Sequence, residues 1–261
     1  MRSKKKKSSL RAGILFLSAL IFLILISLIF KGIDVIRRSN FDGKNAYAFS
    51  VDQKDGVSVI HISPYDSTAA FVRILPNEIN KDNLSEELAV PISSYIKSED
   101  YLGNNPKDII LKVLFSYGRT DTDLTIIDLV RLSMLAPSNL KKTTINIDWD
   151  GKTIDSTIKN FFRDPRIEEE KVSIEIVNST GEQGIATRMG RLITNMGGNV
   201  VLLKNSEKNE KHSSVSYFGE DGYTVKKISK YFDIEKRKNL EKGISDIVIT
   251  IGEDLIDSGK F

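Results

Sequence analysis

The sequence predicts an α/β protein, of the α+β kind, carried on one N-terminal transmembrane helix. Three observations lead there. An uncharged apolar run lies between Arg11 and Lys31, strand-like runs alternate between residues 47 and 75, and a strand, loop, helix and strand follow one another from residue 171. At 261 residues the chain has room for one large domain or two small ones, each with its own core. It holds no cysteine, which excludes disulfides, zinc-thiolate sites and a cysteine nucleophile.

The apolar run covers residues 12–30, AGILFLSALIFLILISLIF. As a helix rising about 1.5 Å per residue it reaches roughly 28 Å, close to the ~30 Å hydrocarbon core. A cleaved signal peptide has a shorter apolar region ending at small residues, whereas this run exits into Lys31-Gly32-Ile33-Asp34, so an uncleaved anchor is expected. Charge is unevenly placed. Residues 1–11 carry +6 and residues 31–38 carry +2 of a total of +3, which leaves −5 on the remainder. The denser basic cluster precedes the span, so the N-terminus is expected in the cytoplasm and the bulk outside the plasma membrane. A mildly acidic bulk also argues against nucleic acid as a partner, because that affinity comes mainly from neutralised phosphates.

Residues 31–45 read as a tether. Residues 47–52, 57–63 and 68–75 then read as strands of a meander, separated by the turns Gln53-Lys54-Asp55-Gly56 and Pro64-Tyr65-Asp66-Ser67. Residues 124–135 predict a helix capped by Asp123 or Thr125 and stopped by Pro137. Residues 143–149 predict a strand with Ile145, Ile147 and Trp149 facing a core. In residues 151–170, Ile158, Phe161 and Phe162 predict a short docked helix, Pro165 a break, and Glu168 to Glu170 an exposed charged end.

From residue 172, Val172, Ile174 and Ile176 alternate with Ser173 and Glu175, the pattern of a strand with one face buried. Ala186, Met189, Ile193 and Met196 then fall on one helical stripe, which Gly197 and Gly198 end. Further strands are predicted at 199–203, 214–218 and 246–251, with a helix at 223–232. Together they predict a two-layer sandwich with both helices on one face of one sheet and the other face free.

Residues 171–255 resemble the C-terminal domain of LytR-type bacterial cell-envelope proteins. The resemblance rests on the strand ending in Val177-Asn178-Ser179-Thr180-Gly181, on Gly184-Ile185-Ala186 opening a helix, and on the strand ending in Ile251-Gly252-Glu253-Asp254. It implies an extracytoplasmic α/β module and brings no catalytic residue. A fainter resemblance links the strand and DGVSVIHISPYDSTAAFVRILPNEI to the opening of the LytR-CpsA-Psr (LCP) catalytic domain, with residues 91–96 and 122–129 similar to its later strand and closing helix. Where that family carries its catalytic arginine, this chain has Pro76-Asn77-Glu78, and the segment that supplies the pyrophosphate-gripping arginines is almost wholly absent. Phosphoryl transfer needs positive groups and a metal on the developing charge, so no ligase activity is expected.

The loop Asn178-Ser179-Thr180-Gly181-Glu182-Gln183-Gly184 enters a helix, where backbone N–H groups hold anions, and Asn178, Thr180, Gly181, Gly184 and Arg188 are the candidate ligand-binding residues. Against that, Glu182 repels phosphate and the spacing is no phosphate-binding motif, so a tight structural turn is the plainer reading. Asn178 also opens an N-x-S/T sequon. Asp121, Asp123 and Asp128 form an acidic group that helix capping explains without a metal. His61 and His212 have no metal-ligand partner at usable spacing, so neither a metal nor a cofactor is implied. Lys226, Lys227 and Lys230 share the polar side of the 223–232 helix, which reads as a solvated face or as contact with an acidic polymer.

The organisation expected is a basic tail at 1–11, an anchor at 12–30, a tether at 31–45, a reduced LCP-like domain at 46–150, a linker at 151–170 and a LytR C-terminal-like domain at 171–256. The function expected is non-catalytic binding or scaffolding of cell-wall glycan or an envelope partner. The rival is a shortened transferase acting on a polyprenyl-pyrophosphate-linked glycopolymer, with Arg73, Arg119 and Asp52 as its available residues.

Overall fold

The computed structural model describes residues 4–75, 83–135, 140–148, 155–241 and 243–258. It is a mixed α/β architecture with two sheets behind one N-terminal helix. Helix α1 (Lys4–Arg38) is long and apolar enough to cross a membrane from Gly13 to Arg38, and that window is wholly unburied by the rest of the chain. The helix therefore continues through most of what reads as a tether, ending in an Asp34–Arg38 ion pair one turn apart.

The first sheet has six strands in the order β5-β4-β1-β2-β3-β6. Strands β1 (Tyr47–Gln53), β2 (Gly56–Ser63) and β3 (Thr68–Leu75) form the expected antiparallel meander. Short helix α2 (Leu84–Leu88) precedes β4 (Ser94–Lys97), which joins β1 in parallel. Helix α3 (Pro106–Phe115), β5 (Asp121–Thr122), α4 (Ile126–Leu135) and β6 (Lys141–Asp148) complete the unit, with β6 parallel to β3. One sheet face packs on α3 and α4 through Phe49, Val51, Ile60, Ile109, Val113 and Leu129. The other packs on α2 and on α5 (Asp155–Phe162) through Val57, Val59, Leu88, Ile158 and Phe162.

Pro165 does not merely end α5. It opens α6 (Pro165–Glu170) at the first helical position, where its missing N–H costs nothing, and the Asp164 carboxylate accepts the Arg166 N–H at 3.1 Å as the cap. The Pro76-Asn77-Glu78 position, Pro137 and Trp149 lie outside the described residues.

The second sheet has the order β10-β9-β11-β7-β8. Its elements are β7 (Ser173–Asn178), α7 (Ile185–Asn195), β8 (Asn199–Asn205), β9 (Ser214–Phe218), α8 (Tyr223–Phe232), β10 (Glu235–Asn239), β11 (Ile247–Ile251) and α9 (Glu253–Asp257). Both α7 and α8 pack on one face, in a single cluster of Ile174, Ile176, Met189, Ile193, Val225 and Ile228. Gly190 lets β8 come close, since a Cβ there would meet Leu203 at 3.2 Å.

Two expectations need correction. The sheet has a fifth strand, β10, whose five residues are all exposed and therefore show no inward alternation. The face away from the helices is not free at its centre, because Glu175 is buried there, ion-paired to Lys204 and within 3.4 Å of the Ser245 hydroxyl.

Candidate functional site

The site begins where α1 ends. Thr125 and Asp128 cap α4 reciprocally: Asp128 accepts the Thr125 N–H at 2.9 Å, and the Thr125 hydroxyl accepts the Asp128 N–H at 3.2 Å. The same buried carboxylate accepts the Ser39 hydroxyl at 2.7 Å and the Phe41 N–H at 2.8 Å. Burial pushes its pKa up, but donors from Ser39, Phe41 and Thr125 outweigh that and hold it below the ordinary carboxylate value. Arg131 reinforces the strap, donating to the Ser39 hydroxyl at 2.9 Å and to the Phe41 carbonyl at 2.5 Å. Phe41 is buried against the Tyr47 ring, 5.1 Å away between centroids.

The two sheets meet over this strap. Asp164 accepts the Tyr223 hydroxyl at 2.5 Å, and the Arg166 guanidinium lies 4.0 Å over the Tyr223 ring while donating to Asn45 at 2.6 Å. Lys227 of α8 donates to the Ala46 carbonyl, and Lys230 donates to the Asn40 carbonyl at 3.3 Å. Tyr231 and Ser85 share a 2.9 Å hydrogen bond, and Asn195 donates to the Ala89 carbonyl at 3.0 Å. On the lysine face of α8, readable from sequence as solvated, Lys226 and Lys230 are exposed, while Lys227 and Lys230 also reach backbone carbonyls of the first unit.

Between them lies a cavity of about 850 Å³. Its floor is the part of the first sheet that α2 and α5 leave uncovered, where Ser50, Asp52, Tyr95 and Lys97 face it from β1 and β4. Its roof is Arg166 with Lys226, Lys227, Lys230 and Tyr231, and Asn40, Phe41 and Asp42 line the end nearest the anchor. Desolvation lowers the Lys227 pKa, partly opposed by Asp164, so this ammonium sits where added negative charge is favourable. Asp123 is raised by burial, against hydrogen bonds from the Tyr95 N–H and the Ser94 hydroxyl.

The module that supplies the roof is the part with known counterparts. Residues 171–255 match the LytR_C family model, described as LytR cell envelope-related transcriptional attenuator. This segment is a LytR_C module. The match associates the chain with the cell envelope, and the matched domain is a non-catalytic C-terminal one. No curated protein matches the chain, and no solved structure does.

Within the LytR_C module, the candidate loop closes on itself. Asn178 accepts the Thr180 N–H at 3.0 Å and its hydroxyl at 2.7 Å, and donates to the Glu182 carbonyl at 2.9 Å. Arg188 is ion-paired to Glu182 and lies 3.4 Å from Glu86 of the first unit. Gly184 takes φ +81° to enter α7, while Gly181 is exposed. Asn178, Thr180, Gly181 and Gly184 share one turn, Arg188 follows in α7, and none of the five lines the cavity.

The transferase candidates do not converge. Asp52, Val57 and Ile74 pair across the sheet and share a face, so Arg73 points to the opposite one, where it binds Asp55 at 2.6 Å. Arg119 is exposed in the turn after α3. His61 is buried against Phe162, His212 is exposed 3.5 Å from Asp254, and no cluster of three metal-ligating side chains occurs among the described residues. The sequence signal for the cavity was the α8 lysine row; nothing local marked Tyr95, Arg166 or Asp42 as its neighbours.

Proposed function

We propose that this chain is a bitopic, non-catalytic envelope protein, N-terminus in the cytoplasm, which holds its LytR_C module just outside the plasma membrane to contact cell-wall glycan or an assembly partner. The observation that supports it most is the bonding of α8 to the backbone immediately past the anchor, at Asn40 and Ala46. The module is thereby carried close to the bilayer by the membrane helix itself. We divide the chain as 1–11, 12–30, 31–45, 46–150, 151–170 and 171–256, with 46–150 as a reduced LCP-like domain serving as the mount. Arg166 is the one guanidinium lining the cavity among the described residues. Detergent-purified full-length chain, co-sedimented with purified sacculi, is expected to be retained; complete absence from the pellet would overturn glycan contact.

The second reading, a shortened glycopolymer transferase, draws on the size of the cavity beside the anchor. Mass spectrometry of lipids that copurify with the chain separates the two, since a polyprenyl pyrophosphate would favour the transferase.

A further inference from the structure

Five cationic and three acidic side chains line the cavity, so its net field is positive although the chain beyond residue 38 is acidic overall. The positive charge is concentrated on one side. Lys226 and Lys230 stand one helical turn apart on α8, with Lys227 between them and Arg166 beside them. The opposite wall holds only one of the five cations, Lys97, whose ammonium lies 5.6 Å from the Tyr95 ring centroid, together with the serine hydroxyls of residues 50 and 93 and the carboxylates of Asp52 and Asp123. A ligand matched to both walls carries an acid group at one end and a hydroxyl-rich, ring-shaped body at the other.

Size and height narrow it further. A volume of about 850 Å³ is at the upper end of small-molecule sites, far more than a lone phosphate fills. The membrane-competent helix spans 26 residues, roughly 39 Å at about 1.5 Å each, against ~30 Å of hydrocarbon. The helix thus exceeds the hydrocarbon by roughly 9 Å in all. Residues 40–42, which follow that helix within four positions, line the end of the cavity nearest it.

From these walls we propose that the cavity is a binding site for an anionic saccharide, free or borne on a lipid, with its acid group on the Lys226–Lys230–Arg166 side and its sugar rings toward Tyr95. The assignment rests on the envelope reading above and names the ligand class for the surface that reading leaves open. Both units build the site, so occupancy also ties the LytR_C module more firmly to the first sheet.

The test uses the full-length chain in phosphatidylcholine nanodiscs, with calorimetric titration of hyaluronan tetrasaccharide, neutral chitotetraose and hexaglutamate at low and high salt. The expected result is tetrasaccharide binding at least 10-fold tighter than that of either other probe, weakened at least 10-fold by Lys226→Glu. Lys226 is exposed, and the variant's melting temperature is expected to match that of the parent. Tyr95→Ala is expected to weaken the tetrasaccharide and leave the salt dependence intact. Equal binding of chitotetraose, equal or tighter binding of hexaglutamate, or indifference to Lys226→Glu overturns the proposal. Nanodiscs doped with a glucuronosyl diacylglycerol separate the sources: a site already filled there indicates a lipid-borne head, and undiminished titration a free one. Retention of Lys226→Glu on sacculi together with no tetrasaccharide binding by the parent overturns the cavity and spares the envelope reading. Tetrasaccharide binding without sacculus retention does the reverse.

Discussion

His61 sits on the first sheet with its ring 5.5 Å from that of Phe162, and its environment refuses charge. Burial comes first, then the positive Lys227 nearby, with Asp66 and a hydrogen bond to the Phe161 backbone opposing; the result is a pKa lowered to about 4. An unfolded chain takes up a proton on this imidazole near pH 6.5, whereas the folded chain does not until about pH 4. Protons therefore favour the unfolded state across that window, and stability falls as pH falls from 6.5 to 4, by up to about 3 kcal/mol for a shift of this size. Urea unfolding at pH 7 and at pH 4.5 should show the loss, and His61→Gln should remove most of the difference. Asp128 acts in the same sense at lower pH. Its lowered pKa contributes stability above the ordinary carboxylate value that is lost only as pH drops through the folded one, so the two effects occupy separate ranges.

Helix α8 carries the lysines of the roof, and its bounds were legible from residues 223–232 because Val225, Ile228 and Tyr231 fall opposite them. Its start was not. Gly222 has no side chain with which to cap, and the orphan N–H groups of Tyr223 and Thr224 are accepted instead by the Glu170 carboxylate, at 2.5 and 2.7 Å. Glu170 reads in sequence as the exposed end of a linker; only the fold brings it to α8. Glu170→Ala should cost about 1 to 2 kcal/mol, read as a lower melting temperature with faster amide exchange at residues 223–226. Other elements escaped for related reasons. The charged strand β10 offers no apolar alternation, because an edge strand with both sides wet has no inward face to declare. Helix α3 carries a local signal of its own, with Asn105 capping, Pro106 at its first turn and Ile109, Ile110 and Val113 on one side. The meander and the β-loop-α-β unit were legible because in them the local period and the buried face agree. The cavity was not, since its walls come from residues more than a hundred positions apart.

On the scale of the whole molecule, the connection between α1 and the first sheet matters most. Residues 39–41 are bonded to Asp128 and Arg131, and the next residues are bonded to Lys227 of the LytR_C module and to Arg166 of α6. Asp128→Ala removes one acceptor that serves several buried donors, so a loss of about 2 to 4 kcal/mol is expected, because unpaired donors carry their full desolvation cost. Hydrogen exchange should rise first at residues 39–46, with the core of β7 and β11 unchanged. A flexible linker of eight residues would let a head sweep a hemisphere roughly 15 Å in radius. Here the chain passes from a 35-residue helix straight into a strap bonded to both sheets. On the anchoring proposed above, that strap fixes the height of the cavity over the bilayer, so elevation narrows what it meets before chemistry does.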